Sequence, residues 1–354
     1  TVQYQFGDEF VGTIRPSAAD ETLKWEETTS YNIGFDYGLF SGRVTGSFEY
    51  YVKDTDDMIF TATVPRGANL SDQVVTNVGS MRNVGFETTL DAQVIDQEDF
   101  SYNAQINVST NQNEILNVST AGDQVLRGGI SGGTGNEIQI IKEGEPINSF
   151  YVLEPVLDED GTPLTADEAA AMDTTQYIDQ PTIDTDGDNV ADSTDGIINS
   201  NDRVVGESPR PDWIIGHTSR MTFNNFDLSF TIQAELGKHV YNNVASNFGH
   251  YSRLSEFAPS NMHESVQETN FQTPQYFSSY YVEDASNIQL KNVTLGYTLP
   301  TEEISSIGRL RVYGTIQNAF ILSEYSGASP LAVGIDNNLY PRSRTYTVGL
   351  NLQL

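Results

Sequence analysis

Hydrophobic and polar residues alternate along many segments of this chain. In YNIGFDYGLF, apolar side chains stand at every second position from Tyr31 to Leu39, and FDLSFTIQAEL over residues 226–236 alternates without a break. Successive side chains of a β-strand point to opposite faces of its sheet, so this period of two predicts strands with one apolar and one polar face. Strands are predicted at about residues 31–39, 44–52, 84–94, 100–108, 211–223, 226–236, 286–299, 309–320 and 344–354, and a further one can occupy the first six residues.

The connections between these strands are short and long in strict alternation. Short links are predicted at about 38–42, 96–99, 224–225 and 300–308, and long links at 54–80, 113–210, 241–285 and 321–343. All the long links therefore fall at one end of the sheet. This arrangement is typical of an all-β, antiparallel, up-and-down transmembrane β-barrel, which has short periplasmic turns and long extracellular loops.

A soluble β-sandwich is the alternative fold, because its strands alternate too. Its outer face is normally rich in Lys and Glu, whereas the polar face here carries mainly Asn, Gln, Ser, Thr, Asp and Gly. In a barrel such a face lines a wet lumen, and the apolar face contacts lipid. The corresponding alternative function is a secreted, calcium-stabilised all-β module or adhesin that binds glycans.

Composition narrows the function classes. The chain has 354 residues, no cysteine, and 49 acidic against 18 basic side chains, which gives a formal net charge of −31. The absence of cysteine excludes a disulfide framework, and the negative charge argues against nucleic acid, whose phosphates need cations. No stretch approaches the ~18 continuous apolar residues of a transmembrane helix. The first ten residues contain no basic region and no initiator Met, so we expect a processed start or a piece of a longer chain.

The final segment, YTVGLNLQL, ends on an apolar position of its strand. It resembles the terminal strand that the bacterial barrel-assembly machinery reads, with Gly349, Leu350, Leu352 and Leu354 in the pattern. Leu354 stands where an aromatic residue is usual.

Seven segments resemble one family, the SusC/RagA-type TonB-dependent outer-membrane transporters of Bacteroidota. They occur in the order of the family and run the length of the chain: LKWEETTSYNIGFD (23–36), NVGSMRNVGFE (77–87), EGEPINSFY (143–151), DGIINSNDRVVGESPRPDW (195–213), YVEDASNIQLKNVTLGYTLP (281–300), and LRVYGTIQNAF (310–320) with GIDNNLYPRSRTYTVGLNLQL (334–354).

The resemblance implies TonB-dependent import of bulky nutrients, oligosaccharides or peptides, across the outer membrane with a SusD-like surface lipoprotein. It also implies that residues 1–354 are the carboxyl-terminal part of a barrel of about 22 strands, because the plug and TonB box of the family are not found in the sequence. The TonB complex would then act through a plug outside this chain. Outer-membrane lipid and lipopolysaccharide are further expected partners, and no enzymatic activity is expected.

An Asp-rich stretch within the long connection 113–210 supplies candidate metal ligands. Carboxylate oxygens are the ligands that calcium prefers, and nearby glycines allow a loop to wrap around one ion. The spacing predicts a structural Ca²⁺ site over residues 184–202, with an incomplete match to the EF-hand loop; the alternative is an acidic loop that is only solvated. Its candidate ligands are Asp184, Asp186, Asp188, Asp192, Asp195 and Asp202.

Two further patterns bear on function. Gly129, Ser131 and Gly133 spell G-x-S-x-G, but no strand–turn–helix context is predicted there and no catalytic residue is assigned. Aromatic residues cluster in the second long loop, 241–285, where they can stack on sugars, belong to the interfacial aromatic girdle or pack within the loop. The candidate substrate contacts are Tyr276, Phe277, Tyr280 and Tyr281.

Overall fold

The computed structural model describes residues 2–13, 18–63, 73–118, 124–130, 136–185, 191–255, 261–300 and 308–353. The strands of the first half are β1 Val2–Phe6, β2 Glu9–Thr13, β3 Ala18–Ala19, β4 Glu27–Leu39, β5 Val44–Asp56, β6 Ile59–Thr63, β7 Gln73–Asn77, β8 Gly79–Asp96, β9 Phe100–Val118, β10 Gln124–Gly129, β11 Glu137–Lys142 and β12 Ser149–Val152. Those of the second half are β13 Val204–Val205, β14 Trp213–Phe223, β15 Phe226–Leu236, β16 His239–Asn242, β17 Val282–Asp284, β18 Asn287–Leu299, β19 Arg309–Ser323, β20 Ile335–Asp336 and β21 Thr345–Gln353.

The helices are few and short. They are α1 Ala166–Ala171, α2 Asn243–Phe248 and α3 Val266–Thr269, with 3-10 turns at Ser200–Asp202, Tyr251–Ser255 and Ser279–Tyr281. Among the described residues, no helix combines the length and the apolar character needed to cross a membrane.

Nine long strands form one antiparallel sheet, which we call the wall. Their order across the wall is β4-β5-β8-β9-β14-β15-β18-β19-β21, so each strand pairs with the next long strand along the chain. All nine strands predicted from alternation are confirmed. The strand allowed in the first six residues also forms, but β1 pairs with β2 in a separate hairpin.

One face of the wall is apolar from strand to strand. The register places Phe223 opposite Phe226, Phe226 opposite Tyr297, and Tyr297 opposite Val312, so apolar side chains meet across β14, β15, β18 and β19. Many of them are open to the surroundings; Val348 on β21, for example, is 83% exposed. An apolar face of this extent is stable next to hydrocarbon, and it therefore faces lipid.

The opposite face of the wall is polar, and its side chains bond to each other across the strands. Arg311 on β19 donates a hydrogen bond of 2.7 Å to the Asp227 carboxylate on β15. Hydroxyl pairs such as Thr294 and Thr315, whose oxygens are 2.8 Å apart, link β18 to β19. A wet lumen solvates the remaining polar groups, so this face needs no packed core above it.

The short and long connections separate to the two ends of the wall, as predicted. The short links are residues 40–43, 97–99, 224–225 and 300–308; the long links are 57–78, 119–212, 237–286 and 324–344. Because β9 continues to Val118, the largest connection begins later than the predicted residue 113.

Most of the well-buried apolar residues lie in the long connections rather than in the wall. The largest buried cluster joins β11, β12 and β16 to the loop around α2 and α3; its members are Ile130, Ile138, Phe150, Val152, Tyr241, Ala245, Phe271 and Tyr281. We call this assembly the loop layer. A single sheet between lipid and water has no interior, so a closed core can form only where loops pack on one another.

Candidate functional site

The loop layer brings distant segments of the chain together at the long-loop end of the wall. β16 pairs with β17 in an antiparallel ladder and with β20 in a parallel one, so residues near 240, 283 and 335 meet in one small sheet. The Asn242 side chain caps α2 by accepting from the Ala245 amide at 2.9 Å, and its amide group donates to Glu283 at 2.9 Å. Glu283 also accepts from the backbone and hydroxyl of Ser326, at 2.8 and 2.9 Å.

The four candidate aromatic contacts all belong to the loop layer, but they differ in burial and in the groups they contact. Tyr281 is 1% exposed and packs edge-on against Tyr241. Phe277 holds the Arg203 guanidinium over its ring at 3.6 Å. The Tyr276 hydroxyl lies 3.4 Å from the Asn247 side chain, and Tyr280 is half-buried. None of the four lies in a wall strand, so they pack within the loop and are not part of a girdle around the barrel.

Tyr280 and Tyr281 border a small acidic pocket of about 230 Å³. The Tyr280 hydroxyl donates to Glu268 at 3.3 Å. Burial is the main cause that raises the pKa of Tyr280 to about 12, and the negative charge of Glu268 raises it further. The phenol therefore stays protonated at neutral pH. Other lining groups are His263, Glu264, Ser265, Glu283 and Ser326. Hydroxyl and carboxylate groups beside an aromatic ring are the chemistry that hydrogen-bonds and stacks on polyhydroxylated ligands.

The Asp-rich stretch does not converge on one point in the part that the structure describes. Asp202 is buried, and its two carboxylate oxygens accept backbone amides of Gln180 at 3.0 Å and Asn199 at 2.7 Å. Asp192 accepts the backbone amide and hydroxyl of Thr185, and Asp195 accepts the amide of Ile197.

Asp186 and Asp188 lie outside the described residues, and Asp184 has at least one partner of its own. No group of three His, Cys, Asp or Glu side chains that could hold a metal ion occurs among the described residues. Calcium binding by residues 184–202 stays a prediction. The sequence did not reveal that Asp202 closes a tight turn, although the Asn-Ser-Asn-Asp run at 199–202 is a turn-forming pattern.

The remaining sequence candidates are distributed over the fold. Gly129 ends β10, whereas Ser131 and Gly133 lie outside the described residues. Gly349, Leu350 and Leu352 lie in β21, which pairs with β19, and Leu354 is outside the described part. An added Cβ at Gly349 would come within 2.4 Å of the Tyr313 ring, so the glycine makes room for that ring on the polar face.

The alternation of apolar and polar residues does not predict the β-bulge in β18. Leu290 pairs with Ile232 and Asn292 pairs with Thr231, so Lys291 is the extra residue against β15. Against β19 the extra residue lies on the other strand, because Leu290 pairs with Phe320 and Asn292 with Gln317, which places Asn318 and Ala319 opposite Lys291. The signal was present in the sequence, since the apolar positions change phase between Leu290 and Val293.

Comparison with known proteins finds relatives of this chain among TonB-dependent receptors. The family model described as TonB dependent receptor-like, beta-barrel, matches residues 3–139. TonB-dependent receptor SusC of Bacteroides thetaiotaomicron is 36% identical over 369 residues, covering 99% of this chain and 34% of SusC. TonB-dependent receptor P3 of Formosa agariphila is 28% identical over 369 residues, covering 98% of this chain and 36% of P3. The chain thus spans about a third of the length of these curated relatives.

Solved structures show the same fold. The RagAB peptide transporter superposes with a TM-score of 0.76 at 24% identity, covering 99% of this chain and 38% of that chain. The RagAB peptide importer in its open-open state gives a TM-score of 0.73 at 22% identity, covering 100% of this chain and 37% of that chain.

The antiparallel wall, its lipid-facing side and these matches define the class: the chain forms part of the β-barrel of a TonB-dependent receptor of the outer membrane. Within that class it is of the SusC/RagA type, on the strength of its match to SusC along nearly its whole length. The matched proteins are receptors and transporters rather than enzymes.

Proposed function

We propose that the protein imports a bulky nutrient across the outer membrane, with this chain supplying barrel wall and extracellular loops. The observation that carries the proposal is the wall itself, nine antiparallel strands with an apolar face toward lipid and a polar face toward the lumen. Such a wall encloses a wet passage once a barrel is closed. Both edge strands, β4 and β21, lack a partner on one side among the described residues, and in hydrocarbon those edges require further strands.

The energy for import would come from the TonB complex, acting on a plug that this chain does not need to contain. Support comes from the match to SusC, whose name identifies it as TonB-dependent. A SusD-like surface lipoprotein would cover the long-loop end. The buried, hydrogen-bonded core of the loop layer suits that role, because a partner needs a preorganised surface to dock on.

Cargo selection would take place at the loops, where Tyr280 and its acidic pocket are accessible from the long-loop end. Oligosaccharides and peptides are the two cargo classes under this proposal. The RagAB relative is a peptide transporter by name, whereas the Tyr280 pocket, with its ring, hydroxyl and carboxylate groups, favours an oligosaccharide.

The test is deletion of the full-length gene followed by growth on a panel of single carbon or amino-acid sources. We expect loss of growth on one polymer class, restored by the wild-type gene but not in a strain without TonB. Affinity purification of the tagged receptor from membranes should recover a surface lipoprotein. Growth that is unchanged on every source, with no lipoprotein recovered, would reject the proposal.

A further inference from the structure

A cluster of cationic side chains surrounds a cavity at the long-loop end of β18 and β19. The cavity has a volume of about 160 Å³ and lies where the connection 324–344 passes the two strands. Lys291, Arg342 and Arg344 line it together with the polar Gln289 and Asn318 and the aromatic Phe320. Three of the 18 basic residues of a chain with net charge −31 are therefore gathered at one small space.

The β-bulge described above places Lys291 in this cavity. As the extra residue of β18, Lys291 departs from the alternation that would fix its face, and its ammonium donates to the Gln289 side chain at 2.8 Å. Gln289 pairs with Gln233 of β15 and so belongs to the polar face. On β19, Asn318 has a positive φ of 51° and is also skipped by the ladder. Bulges of this kind re-aim side chains and are frequent beside functional sites.

The positive charge of the cluster is not neutralised by direct contacts. Elsewhere in the wall, Arg82 is paired with Asp54, and Arg311 with Asp227. Among the described residues, by contrast, neither Arg342 nor Arg344 has a carboxylate within ion-pair distance, and the contact of Lys291 is with a neutral amide. Glu235 on the neighbouring strand is already paired with Lys238 at 3.4 Å.

The lining groups indicate what would complete the site. Two guanidinium groups and an ammonium suit an oxyanion, which they can bind through charge-assisted hydrogen bonds. The Asn318 side-chain oxygen can accept a hydrogen bond from a hydroxyl group, while its amide donates to the Ser343 carbonyl at 3.0 Å. Apolar side chains complete the lining; they are Leu290, Phe320, Ile321, Ala328, Leu331 and Pro341. The volume is well below the ~300 Å³ at which sites for drug-sized ligands begin, so one monomer unit fits and a whole oligomer does not.

We infer that this cavity binds one acidic sugar unit of an oligosaccharide cargo, by its carboxylate or sulfate group. The inference rests on the proposed import function and narrows its cargo to anionic glycans. It gives the receptor a preference for one charge state at a defined point of the polar face, while the acidic character of the rest of the chain repels anionic polymers that do not fit the cavity.

The experiment measures binding to the full-length receptor in detergent by calorimetry. The probes are tetragalacturonate, its neutral methyl ester, a sulfated tetrasaccharide and an acidic tetrapeptide. The double variant Arg342→Gln with Arg344→Gln removes two cations, and Lys291→Gln removes the third. Arg309→Gln is the matched control, since Arg309 lies on the same strand β19 but at its short-turn end, with one contact to Thr298 at 3.5 Å.

We expect at least one anionic tetrasaccharide to bind about tenfold or more tightly than the methyl ester at low salt, since a charged hydrogen bond contributes that much. The double variant and Lys291→Gln should each remove most of this preference, and Arg309→Gln should keep it. The carboxylated and sulfated probes show which oxyanion is preferred, and a preference for either supports the inference. Folding of each variant is checked by its heat-modifiable mobility on gels.

Equal binding of the acid and its ester, or a preference that survives in the double variant, would overturn the inference. Binding of the acidic peptide without either anionic sugar would overturn the assignment to a glycan. The import function is judged separately. TonB-dependent growth on a neutral polymer, with no anionic preference in calorimetry, would reject this site and leave the importer intact.

Discussion

The wall and the loop layer remove apolar side chains from water in different ways. In the wall, Val348 is 83% exposed and is stable because hydrocarbon, not water, surrounds it. In the loop layer, Phe150 is 0% exposed and is stable because other side chains enclose it. The two regions should therefore be sensitive to different substitutions: removal of apolar atoms destabilises the loop layer, and addition of charge destabilises the lipid face of the wall.

The largest expected effect is in the loop layer. Phe150→Ala should destabilise the layer by about 3 to 5 kcal/mol, since it deletes a fully buried ring and leaves a cavity. Hydrogen exchange of the detergent-solubilised receptor should show faster exchange in residues 136–152 and 237–248, with protection of β14 and β15 retained.

Phe223→Ala is the matched control, because Phe223 is 57% exposed on the wall. Lipid or detergent chains are as apolar as the side chain they would replace, so we expect little change in protection. If both variants lose protection equally, the contrast between a lipid-solvated wall and a packed layer is wrong.

The second expected effect is in the wall. Phe230 lies on the lipid face near the middle of β15, opposite Ser219 and Val293, and Phe230→Arg should cost about 2 to 4 kcal/mol. Its neighbour Thr231 faces the lumen and bonds to Thr218 at 3.2 Å, so Thr231→Arg should be far better tolerated. Urea titration followed by heat-modifiable gel mobility measures both; equal losses would contradict the assignment of the two faces.

The two regions also differ in how far the sequence predicts them. All nine wall strands could be predicted because lipid on one side and water on the other force a period of two, as at Phe226 to Leu236. The layer could not, since its contacts join segments far apart in the chain, such as Tyr241 beside Ile335. The sequence shows that aromatic residues are concentrated between Tyr276 and Tyr281. Only the structure distinguishes the buried Tyr281 from the half-buried Tyr280. The cationic cavity was missed because it depends on the bulge at Lys291.

A smaller effect is expected at the start of α1, in the largest connection. Thr165 caps the helix and Glu168 bonds back to it, in a capping box with the Thr165 amide donating to Glu168 at 2.9 Å. Thr165→Ala should cost about 1 kcal/mol of local stability, without effect on the wall. Limited proteolysis near residues 166–173 at neutral pH measures it, and unchanged cleavage would show that the cap contributes nothing.

The same contacts predict a pH dependence. Hydrogen bonds from Thr165 lower the pKa of Glu168 in the folded chain, so their stabilising effect is present above the carboxyl's unfolded pKa and is lost as pH falls through the folded value. Cleavage near α1 should therefore increase in acid, and Glu168→Gln should flatten that response.

The smallest effect is the most informative about the loop layer, and it concerns a single hydroxyl. Tyr281 is 1% exposed, burial raises the pKa of its phenol, and its hydroxyl has no hydrogen-bond partner among the described residues. Because a buried hydroxyl without a partner is unfavourable, Tyr281→Phe should leave stability unchanged or raise it by up to about 1 kcal/mol.

Tyr241→Phe is the control, since the Tyr241 hydroxyl donates to the Tyr276 carbonyl and its loss should cost about 1 kcal/mol. Hydrogen exchange in residues 237–286 compares the two variants. If Tyr281→Phe costs as much as Tyr241→Phe, the Tyr281 hydroxyl is bonded in solution, and a buried water or a bound ligand must reach it through the layer.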